Sequence, residues 1–132
     1  MMEQLISYQL VLNKSQADYL AASKYGVNRM QALVSLLELV KTADEEYTMK
    51  GFSTPLKAGQ FVASEVELSH LWKCDRKTVS RLLDQMNQLG LISTVQNNRT
   101  SVHTVFCIKF WRFENRTVYN KFYEKQMKKS NQ

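Results

Sequence analysis

The sequence predicts a mainly α chain carrying a small β-hairpin wing (α+β). Three observations carry that expectation. Apolar residues recur at helical spacing in several segments before Gly90. Residues suited to helix capping stand just ahead of those segments. After Gly90, two short runs rich in β-branched and aromatic residues flank a polar turn.

Taken in order, residues 1–12 fit either of two forms. Ile6, Tyr8, Leu10 and Leu12 alternate as in a strand, whereas Leu5, Tyr8 and Leu12 also fit a helix face. Residues 15–25 read as a short helix with Ser15 as cap and Gly26 as stop. A longer helix is expected from Asn28 to about Asp44, with Asn28 and Gln31 in a capping box and Leu33, Leu36, Leu37 and Val40 in one stripe. Residues 45–55, EEYTMKGFSTP, read as a polar connection, and residues 59–63, GQFVA, as a short strand. Ser64 and Glu67 form a Ser-x-x-Glu capping box ahead of Leu68, Leu71 and Trp72. Asp75 caps the next helix, whose stripe is Val79, Leu82, Leu83, Met86 and Leu89, and Gly90 ends it. Residues 91–95 and 101–110 are the strands of the hairpin, joined by the turn 96–100, with Val102, Thr104, Phe106, Ile108 and Phe110 on one face. The tail is expected to be helical from about Thr117.

Strand, helix, tight turn, helix and hairpin follow one another as in a winged helix-turn-helix with extra N- and C-terminal segments. The expected organisation is residues 1–27 as a segment packing on or extending the core, 28–111 as the winged helix-turn-helix domain, and 112–132 as a basic amphipathic helix or tail.

Charge is unevenly placed. Residues 1–70 hold six Lys/Arg and eight Asp/Glu, whereas residues 71–132 hold twelve and four, so the formal charges of −2 and +8 make up the net +6. A basic half beside a near-neutral one points to a polyanion partner. Two cysteines are too few for a disulfide framework, no secretory signal opens the chain, and no apolar run approaches the ~20 residues that span a bilayer. A cytoplasmic protein with free thiols and no membrane partner is expected.

The helix beginning at Asp75 breaks a local rule. Arg76, Lys77 and Arg81 stand at its positive end, where exposed cations cost about 0.3–1 kcal/mol each. Phosphate at that end reverses the sign of the problem. At 100° per residue, Lys77, Arg81, Asp84 and Gln88 lie opposite the apolar stripe, with Ser80 and Gln85 on the flanks. The second helix of a helix-turn-helix enters the major groove, where Arg reads guanine and Ser or Gln reads other edges. Lys77, Ser80, Arg81 and Gln85 are therefore expected to meet bases. Arg76, Thr78, Arg99 and Lys109 are expected to lean on phosphates, with Thr100 donating to phosphate from the wing.

Residues 56–92, LKAGQFVASEVELSHLWKCDRKTVSRLLDQMNQLGLI, resemble the winged-helix domain of phage replication initiators and DnaD-like primosomal proteins. The resemblance rests on Gly59-Gln60, Ser64, Glu67-Leu68, Trp72, Arg76-Lys77, Leu82-Leu83, Leu89-Gly90 and Ile92, and it extends over about residues 26–112. Cys74 and Asp75 depart from the tryptophan or glycine and the serine that the family often carries there. The resemblance implies a DNA-binding protein of a phage or mobile element, serving transcription regulation or DNA replication. It also permits an alternative, an assembly module that self-associates or scaffolds a replication complex with little DNA specificity. In that reading the apolar N-terminal residues and the aromatic tail carry the contacts.

Other chemistry finds little support. The histidines, His70 and His103, stand in no nucleophile motif, no glycine-rich phosphate loop is present, and His70, Cys74, His103 and Cys107 lack paired metal-ligand spacing. The expectation is a non-enzyme without cofactor, metal or small-molecule substrate. Its partners are expected to be double-stranded DNA and a second copy in a homodimer, whose two-fold axis would match two half-sites.

Overall fold

The computed structural model describes residues 3–24, 26–49, 51–96 and 100–130. Ten strands and five helices run along these described residues. The strands form two three-stranded and two two-stranded antiparallel sheets. The chain is thus a mixed α+β fold, which overturns the expected mainly α chain with a single hairpin wing. The extra strands come from three places: the N-terminal segment, the supposed connection at 45–55 and the start of the tail.

The N-terminal ambiguity resolves as strand β1 (Leu5–Leu10). Helix α1 (Lys14–Ala21) has its cap two residues earlier than expected, at Asn13 rather than Ser15. Asn13 Oδ1 accepts from Gln16 N at 2.8 Å while Gln16 Oε1 accepts from Asn13 N at 2.9 Å. Gly26 does not stop that helix. It turns the two-residue strands β2 (Ser23–Lys24) and β3 (Val27–Asn28) with φ 73°, a left-handed value that glycine adopts freely. Helix α2 (Arg29–Leu37) has the expected Asn28 cap but ends well short of Asp44. Beyond it, Lys41 N donates to Gln60 O and Gly59 N to Lys41 O, so the chain is drawn alongside the next sheet instead of continuing as helix.

Residues 45–56 are a hairpin, β4 (Glu45–Met49) and β5 (Phe52–Leu56), rather than a connection. Strand β6 (Gln60–Val62), helix α3 (Glu65–Trp72), helix α4 (Arg76–Gln88), β7 (Ile92–Gln96) and β8 (Ser101–Val105) then follow. In their sheet the order is β6-β8-β7, so the strand before the helices pairs with the far strand of the hairpin.

The expected single strand 101–110 is broken at Phe106–Cys107. Strand β9 (Ile108–Phe113) leaves for a second sheet, of order β1-β9-β10, with β10 (Thr117–Tyr119). The side chain of Asn120 holds the corner: its Nδ2 donates to Val105 O and Ile108 O, each at 2.9 Å. Asn120 also starts helix α5 (Lys121–Ser130), its Oδ1 accepting from Phe122 N at 3.1 Å. The boundary expected between residues 111 and 112 falls inside β9, and β1 pairs with β9 from the opposite end of the chain.

One core joins these parts. Leu33 and Leu36 of α2, Leu68 of α3, Val79, Leu82 and Met86 of α4, and Phe61, Ile92, Ile108 and Trp111 of the sheets are buried together. Full burial of each aliphatic side chain favours folding by about 1.5–3 kcal/mol. Of the residues expected to share one face of 101–110, Val102 and Thr104 are half-buried in β8, whereas Ser101, His103 and Val105 on its other face are buried. His103 tolerates the core because both its ring nitrogens have hydrogen-bonding partners and its ring stacks on Phe61 at 4.7 Å.

Candidate nucleic-acid interface

Residues 64–90 build the unit that carries the predicted reading helix. Ser64 and Glu67 close both bonds of a capping box at the start of α3. That helix ends on Lys73, the one described non-glycine residue with positive φ (54°), and Cys74 N donates back to Ser69 O. Asp75 then accepts from Thr78 N at 2.8 Å and starts α4 after the short turn. Hydrogen bonds from Thr78 hold the Asp75 carboxyl below its ordinary pKa, and the Lys77 and Arg81 charges act in the same direction. The cap therefore stays ionised and offsets part of the positive field at this end.

The two faces of α4 differ sharply. Val79, Leu82 and Met86 are at most 1% exposed. Lys77, Arg81, Asp84 and Gln88 are all exposed, on the opposite side. Arg76 is exposed too, with Nη2 3.7 Å from Glu65 Oε1 of α3. Thr78 and Ser80 are half-buried at the flanks.

The remaining predicted residues sit elsewhere. Gln85 is half-buried, and its Oε1 accepts from the Tyr19 hydroxyl at 2.8 Å, so the oxygen expected to read a base is held by α1. Thr100 is buried rather than presented on a wing. Lys109 is exposed but belongs to β9, in the sheet with β1 and β10, because the strand expected to carry it out along the hairpin is broken. Arg99 lies outside the described residues.

A chain of hydrogen bonds fixes α4 against the sheet. Asn87 Nδ2 donates to Leu83 O at 2.8 Å and to Thr94 Oγ1 at 3.0 Å. Asn87 Oδ1 accepts from Thr94 N at 2.9 Å. Thr94 Oγ1 meets His103 Nδ1 at 2.9 Å, and His103 Nε2 meets Ala63 O at 2.9 Å. A carbonyl only accepts, so Nε2 carries the proton and Nδ1 accepts from the threonine hydroxyl. The chain links α4, β7, β8 and the end of β6. Burial lowers the His103 pKa, against the opposing effect of its bond to Ala63, and keeps the ring neutral. At the far end of α4, Gln16 Nε2 donates to Leu89 O at 2.8 Å and satisfies a carbonyl that the helix end leaves over.

Sequence reasoning missed Tyr19, Asn87, Thr94 and His103 as the residues that position this helix. The available signal was slight: Asn87 and Thr94 are polar residues beside apolar stretches, as many surface residues are. Between α4 and the hairpin lies a polar groove of about 440 Å³, lined by Glu65, Ser80, Asp84, Gln88, Thr94 and Gln96 among others. Among the described residues, no three His, Cys, Asp or Glu side chains converge as metal ligands. Burial pushes the Cys107 thiol up to about 12, which leaves it a core residue rather than a nucleophile. No described helix is long and apolar enough to cross a membrane. The chain matches no family model, no curated protein and no solved structure.

Proposed function

We propose that this chain binds double-stranded DNA, with α4 in the major groove and the β7–β8 hairpin beside it in the manner of a winged helix. It would serve as a transcriptional regulator or replication accessory factor of a phage or mobile element. The observation that carries the reading is the exposed face Lys77, Arg81, Asp84 and Gln88 on a helix whose opposite face is buried. A helix of 13 residues is about 20 Å long and one helix fits the major groove. Arg81 suits guanine, Gln88 suits adenine and Asp84 can accept from the cytosine amino group. Because Gln85 is committed to Tyr19, Gln88 takes its place in the reading set beside Lys77, Ser80 and Arg81. Arg76 and Thr78 would meet phosphate.

Selection of duplexes from a random pool, followed by titration of variants on the enriched site, tests this. Arg81→Ala should weaken binding by about 1–3 kcal/mol. Lys125→Ala, on α5, should leave it within about 0.5 kcal/mol. An Arg81→Ala protein with unaltered affinity and sequence preference removes the reading helix from the proposal.

A second reading, self-association, is favoured by the edge of the β1-β9-β10 sheet. Strand β1 is an edge strand, and Leu5 and Ile6 are 42% and 60% exposed. Such an edge can pair with its equivalent on a second copy. Light scattering of the chain beside Ile6→Lys separates the readings: a dimer lost in that variant, with no affinity for DNA at low salt, favours assembly.

A further inference from the structure

We infer that a second binding site, for a small aromatic phosphate such as a nucleoside monophosphate, lies between the segments that flank the β4–β5 hairpin, 42–44 and 57–58, and the stretch from Arg116 through β10 into α5. A cavity of about 370 Å³ opens there. That volume is at the small end of the range for ligand pockets, about 300–1,000 Å³. It is independent of the DNA reading, since α4 contributes nothing to its lining.

Two features of the lining select the ligand. The first is charge. Lys57, Arg116, Lys121 and Lys125 line the cavity against one carboxylate, Asp44. Asp44 is already engaged, its Oδ1 accepting from Ala58 N at 3.0 Å. Arg116 gives its Nε to Glu3 Oε2 at 2.6 Å, which takes up one N–H of its guanidinium. Among the described residues no carboxylate lies within ion-pair distance of Lys57, Lys121 or Lys125. Like charges gathered without counter-ions repel one another, and a dianion between them removes that repulsion. The second feature is an apolar and aromatic wall. Phe122 and Val118 are half-buried there. Tyr119 is 58% exposed, with its ring held edge-on to Phe110 at 5.9 Å. An exposed, steadied aromatic ring offers a stacking surface to a planar group, and the lysines offer charge to a phosphate. Inorganic phosphate satisfies only the first feature and an uncharged nucleoside only the second.

The test is calorimetric titration of the chain with AMP, adenosine and inorganic phosphate at low salt. AMP should saturate one site per chain and bind at least about fivefold more tightly than either fragment. Lys121→Glu exchanges an attraction for a repulsion at an exposed position and should weaken AMP binding about tenfold. Tyr119→Ala should weaken it about fivefold or more. Lys77→Ala, on α4, should leave it unchanged. Thermal melts of each variant establish that the fold survives. The proposal is overturned by the absence of saturable AMP binding, by equal affinity for inorganic phosphate, or by AMP binding that Lys77→Ala abolishes and Lys121→Glu does not. None of these outcomes depends on whether α4 binds DNA.

Discussion

Replacing Thr94 by valine removes one hydroxyl and keeps the shape of the side chain. The consequence follows from the two bonds that the hydroxyl makes. It donates to His103 Nδ1 at 2.9 Å and accepts from Asn87 Nδ2 at 3.0 Å. His103 is 0% exposed, so water cannot replace the lost donor. An orphaned buried acceptor costs about 1–3 kcal/mol. Asn87 keeps its bond to Leu83 O at 2.8 Å, so its loss is the net worth of one hydrogen bond, about 0.5–1.5 kcal/mol. The backbone bond from Thr94 N to Asn87 Oδ1 survives, and valine suits a strand as well as threonine does. The expected destabilisation is about 2–4 kcal/mol, a large share of the ~5–15 kcal/mol that holds a domain folded. Urea unfolding at pH 7.5, followed by the fluorescence of Trp72 and Trp111, measures it. A loss below about 0.5 kcal/mol at unchanged denaturant slope refutes the hydrogen-bond chain as a stabilising element.

The same histidine makes stability depend on pH. Its folded pKa is depressed, so the neutral ring's contribution is complete above the unfolded value near 6.5 and declines as pH falls below it toward the folded value. Urea titrations between about pH 7.5 and 5.5 should show stability falling with a slope of at most about 1.4 kcal/mol per pH unit from this group, and His103→Phe should flatten that slope. Gly59→Ala should cost about 2–4 kcal/mol, because φ is 102° and the new Cβ would stand 2.9 Å from Asn120 Oδ1 and 3.0 Å from Phe122 Cδ2. Gly26→Ala, with open space around the position, should cost only the backbone strain; thermal melts of the two variants compare them. If only Lys73, Arg76, Lys77, Arg81 and the hairpin face the duplex, the logarithm of DNA affinity should fall against the logarithm of salt with a slope of about −3 to −4.5. A slope steeper than about −8 would bring the β9–α5 cations into the footprint.

The legible parts of the chain were those whose signals are local. Asp75, the stripe from Val79 to Met86, and Gly90 all belong to one helix and agree with one another. Ser64 and Glu67 likewise declare α3 on their own. What was not legible depends on partners far along the chain. The break after Val105 is held by Asn120, fifteen residues on. The buried face of β8 follows from His103 bonding Ala63 O, forty residues back. Helix α2 ends where Gln60 and Gly59 recruit Lys41. The β4–β5 hairpin does alternate, with Tyr47, Phe52, Thr54 and Leu56 at least half-buried on one face and Glu46, Thr48, Ser53 and Pro55 exposed on the other, but the acidic residues, Gly51 and Pro55 within the same stretch also suit a polar connection. In the candidate site, the exposed face of α4 followed from helical spacing. The loss of Gln85 and Lys109 from the expected DNA contacts did not, because Tyr19 and the second sheet decide it.

The +8 of residues 71–132 also divides in space. Lys73, Arg76, Lys77 and Arg81 belong to the turn and first half of α4, whereas Lys109, Arg112, Arg116 and the four lysines of α5 belong to the second sheet and the helix after it. Three polar tethers hold the C-terminal half of α4: Tyr19 holds Gln85, Thr94 holds Asn87 and Gln16 holds Leu89. Its N-terminal half is seated by Val79 and Leu82 in the core, capped by Asp75, and joined to α3 by the Arg76–Glu65 ion pair at 3.7 Å. A helix seated on the core along one face and tethered in its C-terminal half keeps its axis while Lys77 stays exposed on the other face. A base-reading helix has this requirement, since its N-terminal residues must reach into a groove without the helix itself shifting. The cost of gathering cations at that end is tolerable because the rest of the helix is secured by contacts that do not involve them.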